Sequence, residues 1–169
     1  MKQIFIGGEL FYHLRADEIK SKLSSLLSSR YKPIYVTLHY TVGRYNQPFN
    51  DYQINIDDNN VYISANFANK CHQHTWRRNT NNLGVSFMAM LNKSFTINKQ
   101  AIENCSLVIA ILRNHFKLDI SQIYDHSYWG DIDGYAGQPD LRSIKIDNVL
   151  LLDIIKNKSK WYLEQINKQ

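Results

Sequence analysis

Six histidines punctuate the chain, and four of them, His39, His72, His74 and His126, fall at the ends of apolar runs or in polar loops. Imidazole ligates transition metals as a neutral donor and moves protons near neutral pH, so a histidine at an element end is a candidate for either task. The stretch "YVTLHYTVG", residues 35–43, is the sharpest case, because a run of β-branched and aromatic residues leads straight into His39. A strand fixes an imidazole far more tightly than a loop does, and metal geometry requires that. His126, in "YDHS", stands at a comparable boundary. His13 and His115 lie in or beside helical patterns and read as surface or core residues, and His72 reads as a surface residue.

The elements that would position these side chains follow from periodicity. "RADEIKSKLSSLLSSR" sets Ile19, Leu23, Leu26 and Leu27 on one face, with acidic residues in the first turn, as an amphipathic helix does. "KPIYVTLHYT" predicts a buried strand, "YQINI" and "NVYIS" flank the turn-forming "DDNN" as a hairpin, and "LGVSFMAML" predicts a central strand. Thr96 and Asn98 are both candidate N-caps for a helix carrying Ile102, Cys105, Ile109, Leu112 and Phe116 at helical spacing, which makes Cys105 a core residue. An irregular stretch from Tyr124 to Ser143 precedes a last helix with Leu151, Ile155, Tyr162 and Ile166 on one face. This order predicts an α/β (α+β) fold, a mixed central sheet flanked by helices.

Composition bounds the function. The 169 residues, 44% apolar, suffice for one domain with its own core, so residues 1–169 are expected to form a single domain. No apolar stretch in the first thirty residues has the length of a signal peptide or a membrane span, which predicts cytoplasmic synthesis and no membrane insertion. Cys71 and Cys105 are too few for a disulfide framework and lie in no CxxC pair, so both are expected to be reduced. A net charge of +5 and a pI near 9.1 suit an anionic partner, either nucleic acid or an anionic wall polymer.

Three segments, "LHYTVGRYNQPFNDYQINIDDNNVYIS", "HTWRRNTNNLGVSFMAM" and "YDHSYWGDIDGYAG", occur in the order found in a known family. Over roughly residues 35–150 the chain resembles the zinc-dependent N-acetylmuramoyl-L-alanine amidases of the peptidoglycan-recognition fold, above all their phage-associated, endolysin-like members. The resemblance implies one Zn2+ in a groove, a peptidoglycan or muropeptide substrate, a monomer, and no nucleic-acid partner. It implies hydrolysis of the amide between N-acetylmuramic acid and L-alanine, the zinc acting as Lewis acid. Without a leader, such an enzyme would reach the wall through a holin-type route, or serve inside the cell in wall recycling.

Residue by residue, the family's first zinc ligand, at the end of the first core strand, is matched by His39, and its second by His126. The third, Cys or Asp, commonly follows a basic residue by two positions just before the last helix. Close relatives carry Arg-Trp-Asp there, whereas here "SIKIDN" follows Arg142, and "KID" restores the spacing three residues later. The expected assignment is therefore Asp147 as third ligand and Lys145 as oxyanion stabiliser. Two alternatives stay open: Asp147 as a helix N-cap and Asp133 of "DGY" as the ligand. Tyr52 matches the tyrosine beside the attacking water, with cross-strand packing as its other role. His74, Trp76, Arg78 and Asn79 occupy the segment in which family members contact glycan and stem peptide, a set that also suits RNA. The departure at the third ligand also fits a non-catalytic peptidoglycan-binding protein that has lost the metal.

Overall fold

Alternation along "YVTLHYT" divides its residues between two faces. In the computed structural model, which describes residues 1–28, 30–41, 46–68, 72–88, 98–135 and 144–168, this segment is strand β3 (Tyr35–Thr41). Its Val36, Leu38 and Tyr40 join the main apolar core, while Thr37 and His39 point to the opposite, polar face. The same division holds on β4 (Ile54–Ile56) and β6 (Asn82–Met88). There Ile54, Ile56, Leu83, Val85 and Phe87 enter the core, and Asn55, Asn82, Gly84 and Ser86 face the other way.

These strands belong to a seven-stranded mixed sheet that also contains β1 (Lys2–Ile6), β2 (Glu9–Arg15), β5 (Asn60–Ser64) and β7 (Ile123–Asp125), in the order β1-β2-β5-β4-β6-β3-β7. Strand β3 runs parallel to both neighbours, β6 and β7, with His39 opposite Ser86 in register. Parallel pairing needs a long connection, and here β4 and β5 lie in the chain between β3 and β6. Helices α1 (Ile19–Leu26), α2 (Lys99–Phe116) and α4 (Leu151–Asn167) contribute Leu23, Ile109 and Ile155 to the core. Asn98 caps α2 by accepting from the Gln100 amide at 2.8 Å. The expected α+β class, the β4–β5 hairpin, the interior place of β6 and the buried Cys105 are all present, whereas Cys71 and Thr96 lie outside the described residues.

The structure corrects the sequence reading at several places. His13 is not in a helical pattern; it lies on β2, stacked on Tyr62 with centroids 4.9 Å apart and paired with Asn60 Oδ1 at 2.6 Å. The irregular stretch after Tyr124 contains helix α3 (His126–Asp133). Before the last helix stands a small hairpin of β8 (Lys145–Ile146) and β9 (Val149–Leu150). His72 is not a surface residue: it is fully buried, its Nδ1 donates to the Asn50 carbonyl at 3.0 Å, and its Nε2 lies 3.5 Å from the buried Glu9 carboxylate, which also accepts from the Ser64 hydroxyl. Among the described residues no helix is long and apolar enough to cross a membrane.

Candidate active site

On the polar face of the sheet, side chains bond in pairs across strands. Thr37 Oγ1 donates to Asn82 Oδ1 at 2.8 Å, Ser86 Oγ donates to Asn55 Oδ1 at 2.7 Å, and the Gly84 amide donates to Gln53 Oε1 at 2.7 Å. Such pairing offsets the cost of burying polar groups and gives the face a rigid floor. His39 stands on this floor, 2% exposed, and three aromatic side chains gather around it. Its ring centroid is 4.9 Å from Tyr52, 5.0 Å from His74 and 4.8 Å from His126.

Each neighbour is fixed locally. His126 is the first residue of α3, whose start is capped by Asp125 Oδ1 accepting from the Tyr128 amide at 2.8 Å. Trp129 of the same helix donates from Nε1 to Thr37 Oγ1 at 2.9 Å, pinning α3 to β3. His74 precedes a turn in which Asn79 Oδ1 accepts from the His74 and Thr75 amides at 3.0 and 2.7 Å. Its imidazole lies flat on Gly84: a Cβ on that residue would stand 2.6 Å from two ring carbons, so glycine is required for this close approach. His74 Nδ1 lies 2.9 Å from His39 Nε2, and its Nε2 donates to the Asn82 carbonyl at 3.0 Å.

The electrostatics follow from burial. Burial, then the neighbouring His74 and His126, push the His39 imidazole well below its ordinary pKa. Burial lowers His74 to about 4 against the opposing effect of its Asn82 bond, and burial also lowers His126 although Asp125 opposes it. All three rings are therefore neutral at pH 7, the state in which imidazole nitrogen donates an electron pair.

A cleft of about 510 Å³ opens beside the cluster, lined by His74, Thr75, Trp76, Asn79, His126 and Tyr135 among others. Trp76 is 51% exposed there, edge-on to Tyr135, with the Arg77 guanidinium 4.0 Å over its ring. Arg78 turns away from the cleft. Its Nε and Nη2 donate to both carboxylate oxygens of Asp133 at 2.7 Å each, and it stacks 4.5 Å over Trp129. The bonds from Arg78 hold the Asp133 carboxyl below the usual carboxylate range.

The residues expected from sequence to act together thus divide. His39, His126, Tyr52 and His74 converge, and Trp76 and Asn79 line the adjoining cleft. The structure does not bring Asp147 or Lys145 to the histidines. Asp147 occupies an exposed turn with φ of 50°, Asn148 follows at 66°, and the cap of α4 is Leu150 rather than Asp147. Lys145 is exposed on β8. Asp133, the alternative ligand, is tied to Arg78. Among the described residues no three His, Cys, Asp or Glu side chains form a group able to hold a metal, and a catalytic zinc takes three protein ligands. Sequence reasoning missed Thr75, Asn82 and Gly84, although a glycine inside an apolar strand is itself a signal of close backbone approach.

No family model and no curated protein matches the chain. Among solved structures it is similar to the catalytic domain of XlyA, with a TM-score of 0.52 and 15% identity over 78% of this chain and 86% of that one. A fainter likeness to PlyL has a TM-score of 0.43 and 18% identity over 61% of this chain and 78% of that one. The first likeness shows a shared fold.

Proposed function

We propose that the chain is a peptidoglycan-cleaving amidase that hydrolyses the bond between N-acetylmuramic acid and L-alanine with the help of one zinc ion. The observation that carries this reading is the convergence of His39, His126 and Tyr52 beside a cleft with an exposed tryptophan. These are the residues that the motif resemblance assigns to the metal and to the attacking water. The likeness of the fold to the catalytic domain of XlyA agrees with it.

His39 and His126 would hold the ion, which when bound supplies Lewis-acid assistance to amide hydrolysis. The other residues supply binding and orientation. Trp76 offers an amphipathic ring for a sugar face, and the Arg77 guanidinium stacked on it offers donors to a carboxylate of the stem peptide. Tyr52, held against the His39 ring, would orient the attacking water or pass a proton to the departing amine. Arg78 serves by keeping α3, and with it His126, against the 72–79 turn.

Metal analysis of the purified chain and of two variants tests this reading. About one zinc per wild-type chain is expected, with the ion lost from His39→Ala and from His126→Ala while both remain folded. Full occupancy in either variant contradicts the ligand assignment, and a wild-type chain that binds peptidoglycan but takes up no zinc would be a binding protein of this fold.

A further inference from the structure

His39 and His74 meet nitrogen to nitrogen, and hydrogen-bond chemistry decides which nitrogen carries the proton. The Asn82 carbonyl oxygen only accepts, so its 3.0 Å contact with His74 Nε2 puts a hydrogen on that nitrogen. Among the described residues the hydrogen-bond partners of the two rings are each other, the Thr75 hydroxyl and that carbonyl, with no carboxylate among them. Two imidazoles buried side by side without a counter-charge are neutral. Neutral His74, protonated on Nε2, keeps a bare lone pair on Nδ1. A second lone pair facing it at 2.9 Å would be repelled, so the hydrogen between the rings belongs to His39 Nε2. Thr75 Oγ1 completes the arrangement, donating to His74 Nδ1 at 2.8 Å and accepting from His39 Nε2 at 3.3 Å.

We propose that His74 is the positioning residue of His39: it holds that imidazole as the Nε2–H tautomer and leaves Nδ1 as the only nitrogen of the ring able to donate an electron pair. His74 can do this because it is itself immobilised on three sides, by the Gly84 backbone beneath its ring, by the Asn82 carbonyl and by the Asn79 side chain at its own amide. A cation held by His39 is then held through Nδ1. That last consequence rests on the zinc reading above; the tautomer does not.

Long-range proton–nitrogen correlation spectra of the full chain, isotope-labelled at histidine and stripped of metal with a chelator at neutral pH, read the protonated nitrogen of each ring. Wild-type His39 is expected to be protonated on Nε2. His74→Ala is expected to give a tautomer mixture, and His74→Asn, whose amide oxygen replaces the Nδ1 acceptor, to restore the wild-type pattern. Wild-type His39 protonated on Nδ1, or an unchanged pattern in His74→Ala, overturns the proposal. Should His74→Ala fail to fold, His74→Asn and Gly84→Ala carry the comparison. Partners that orient a metal-bound histidine are worth about 10–100-fold in metal affinity, so zinc titration should show a loss of that order in His74→Ala and recovery in His74→Asn. Loss of a nitrogen ligand from the visible spectrum of cobalt-loaded His74→Ala would make His74 a ligand itself and overturn the positioning role. A wild-type chain that takes no zinc yet shows the Nε2–H pattern supports this proposal and contradicts only the metal reading.

Discussion

The His74 imidazole rests on the backbone of Gly84 so closely that a methyl group there would stand 2.6 Å from two of its ring carbons. Strand β6 thereby sets the position of a residue that hydrogen-bonds a side chain of β3. Gly84→Ala adds the methyl in the middle of a buried strand, where overpacking costs about 1–3 kcal/mol. The expected result is a folded chain, destabilised by that order in urea unfolding, with His74 displaced and zinc affinity reduced. Unchanged stability and affinity would show that the ring yields without consequence.

Tyr52 touches His39 ring to ring, with centroids 4.9 Å apart, and removing its hydroxyl leaves that packing in place. Tyr52→Phe is expected to keep its zinc and its thermal stability while turnover falls about 10²–10⁴-fold, the usual contribution of a positioned proton-transfer group. Wild-type turnover on purified sacculi would reduce Tyr52 to a packing residue.

Asp147 provides the clearest divergence from the motif-based expectation. It and Asn148 form the two-residue turn of the β8–β9 hairpin, both at positive φ, a conformation that favours glycine. Asp147→Ala should therefore retain stoichiometric zinc and lose some stability, because alanine adopts the left-handed region less readily than aspartate. Asp147→Gly should be neutral or stabilising by up to about 1 kcal/mol. Loss of the metal in both variants would restore Asp147 as a ligand.

The buried histidines make the metal-free chain sensitive to acid. His74 is lowered from 6.5 to about 4 in the folded state, so between those values the unfolded chain binds the extra proton and the folded chain does not. Stability of the chelator-treated protein is thus fully present above about pH 6.5 and falls as the pH drops toward 4. His39 and His126 shift in the same direction and add to the slope. His74→Asn removes one titrating group, and its urea midpoint should decline less steeply across that window; parallel curves for the two proteins would contradict the shift.

Much of the fold was legible wherever a pattern was long. The strand carrying His39, the hairpin around "DDNN", β6, α2 with its Asn98 cap and α4 all stand out by periodicity and caps. The β1–β2 hairpin escaped notice although Gly7 and Gly8, at φ of 54° and 80°, form the diglycine turn that joins two apolar runs. Strands of two or three residues, such as β7, β8 and β9, offer no period to detect. At the site, His39 and His126 could be read from their places at element ends. The link between His39 and His74 could not, because it runs through a backbone carbonyl that no side chain reveals, and Gly84 signals a close approach without naming the residue that makes it. Arg78 and Asp133 looked like groove residues in sequence and instead satisfy each other.

The most direct test of the account is mass spectrometry of purified peptidoglycan digested with the zinc-loaded chain, with His126→Ala as control. The account predicts free stem peptides that begin with an L-alanine amine and glycan strands left intact, none of it formed by His126→Ala. New reducing sugar ends, cuts within the stem peptide, or the same products from the His126→Ala variant would contradict it.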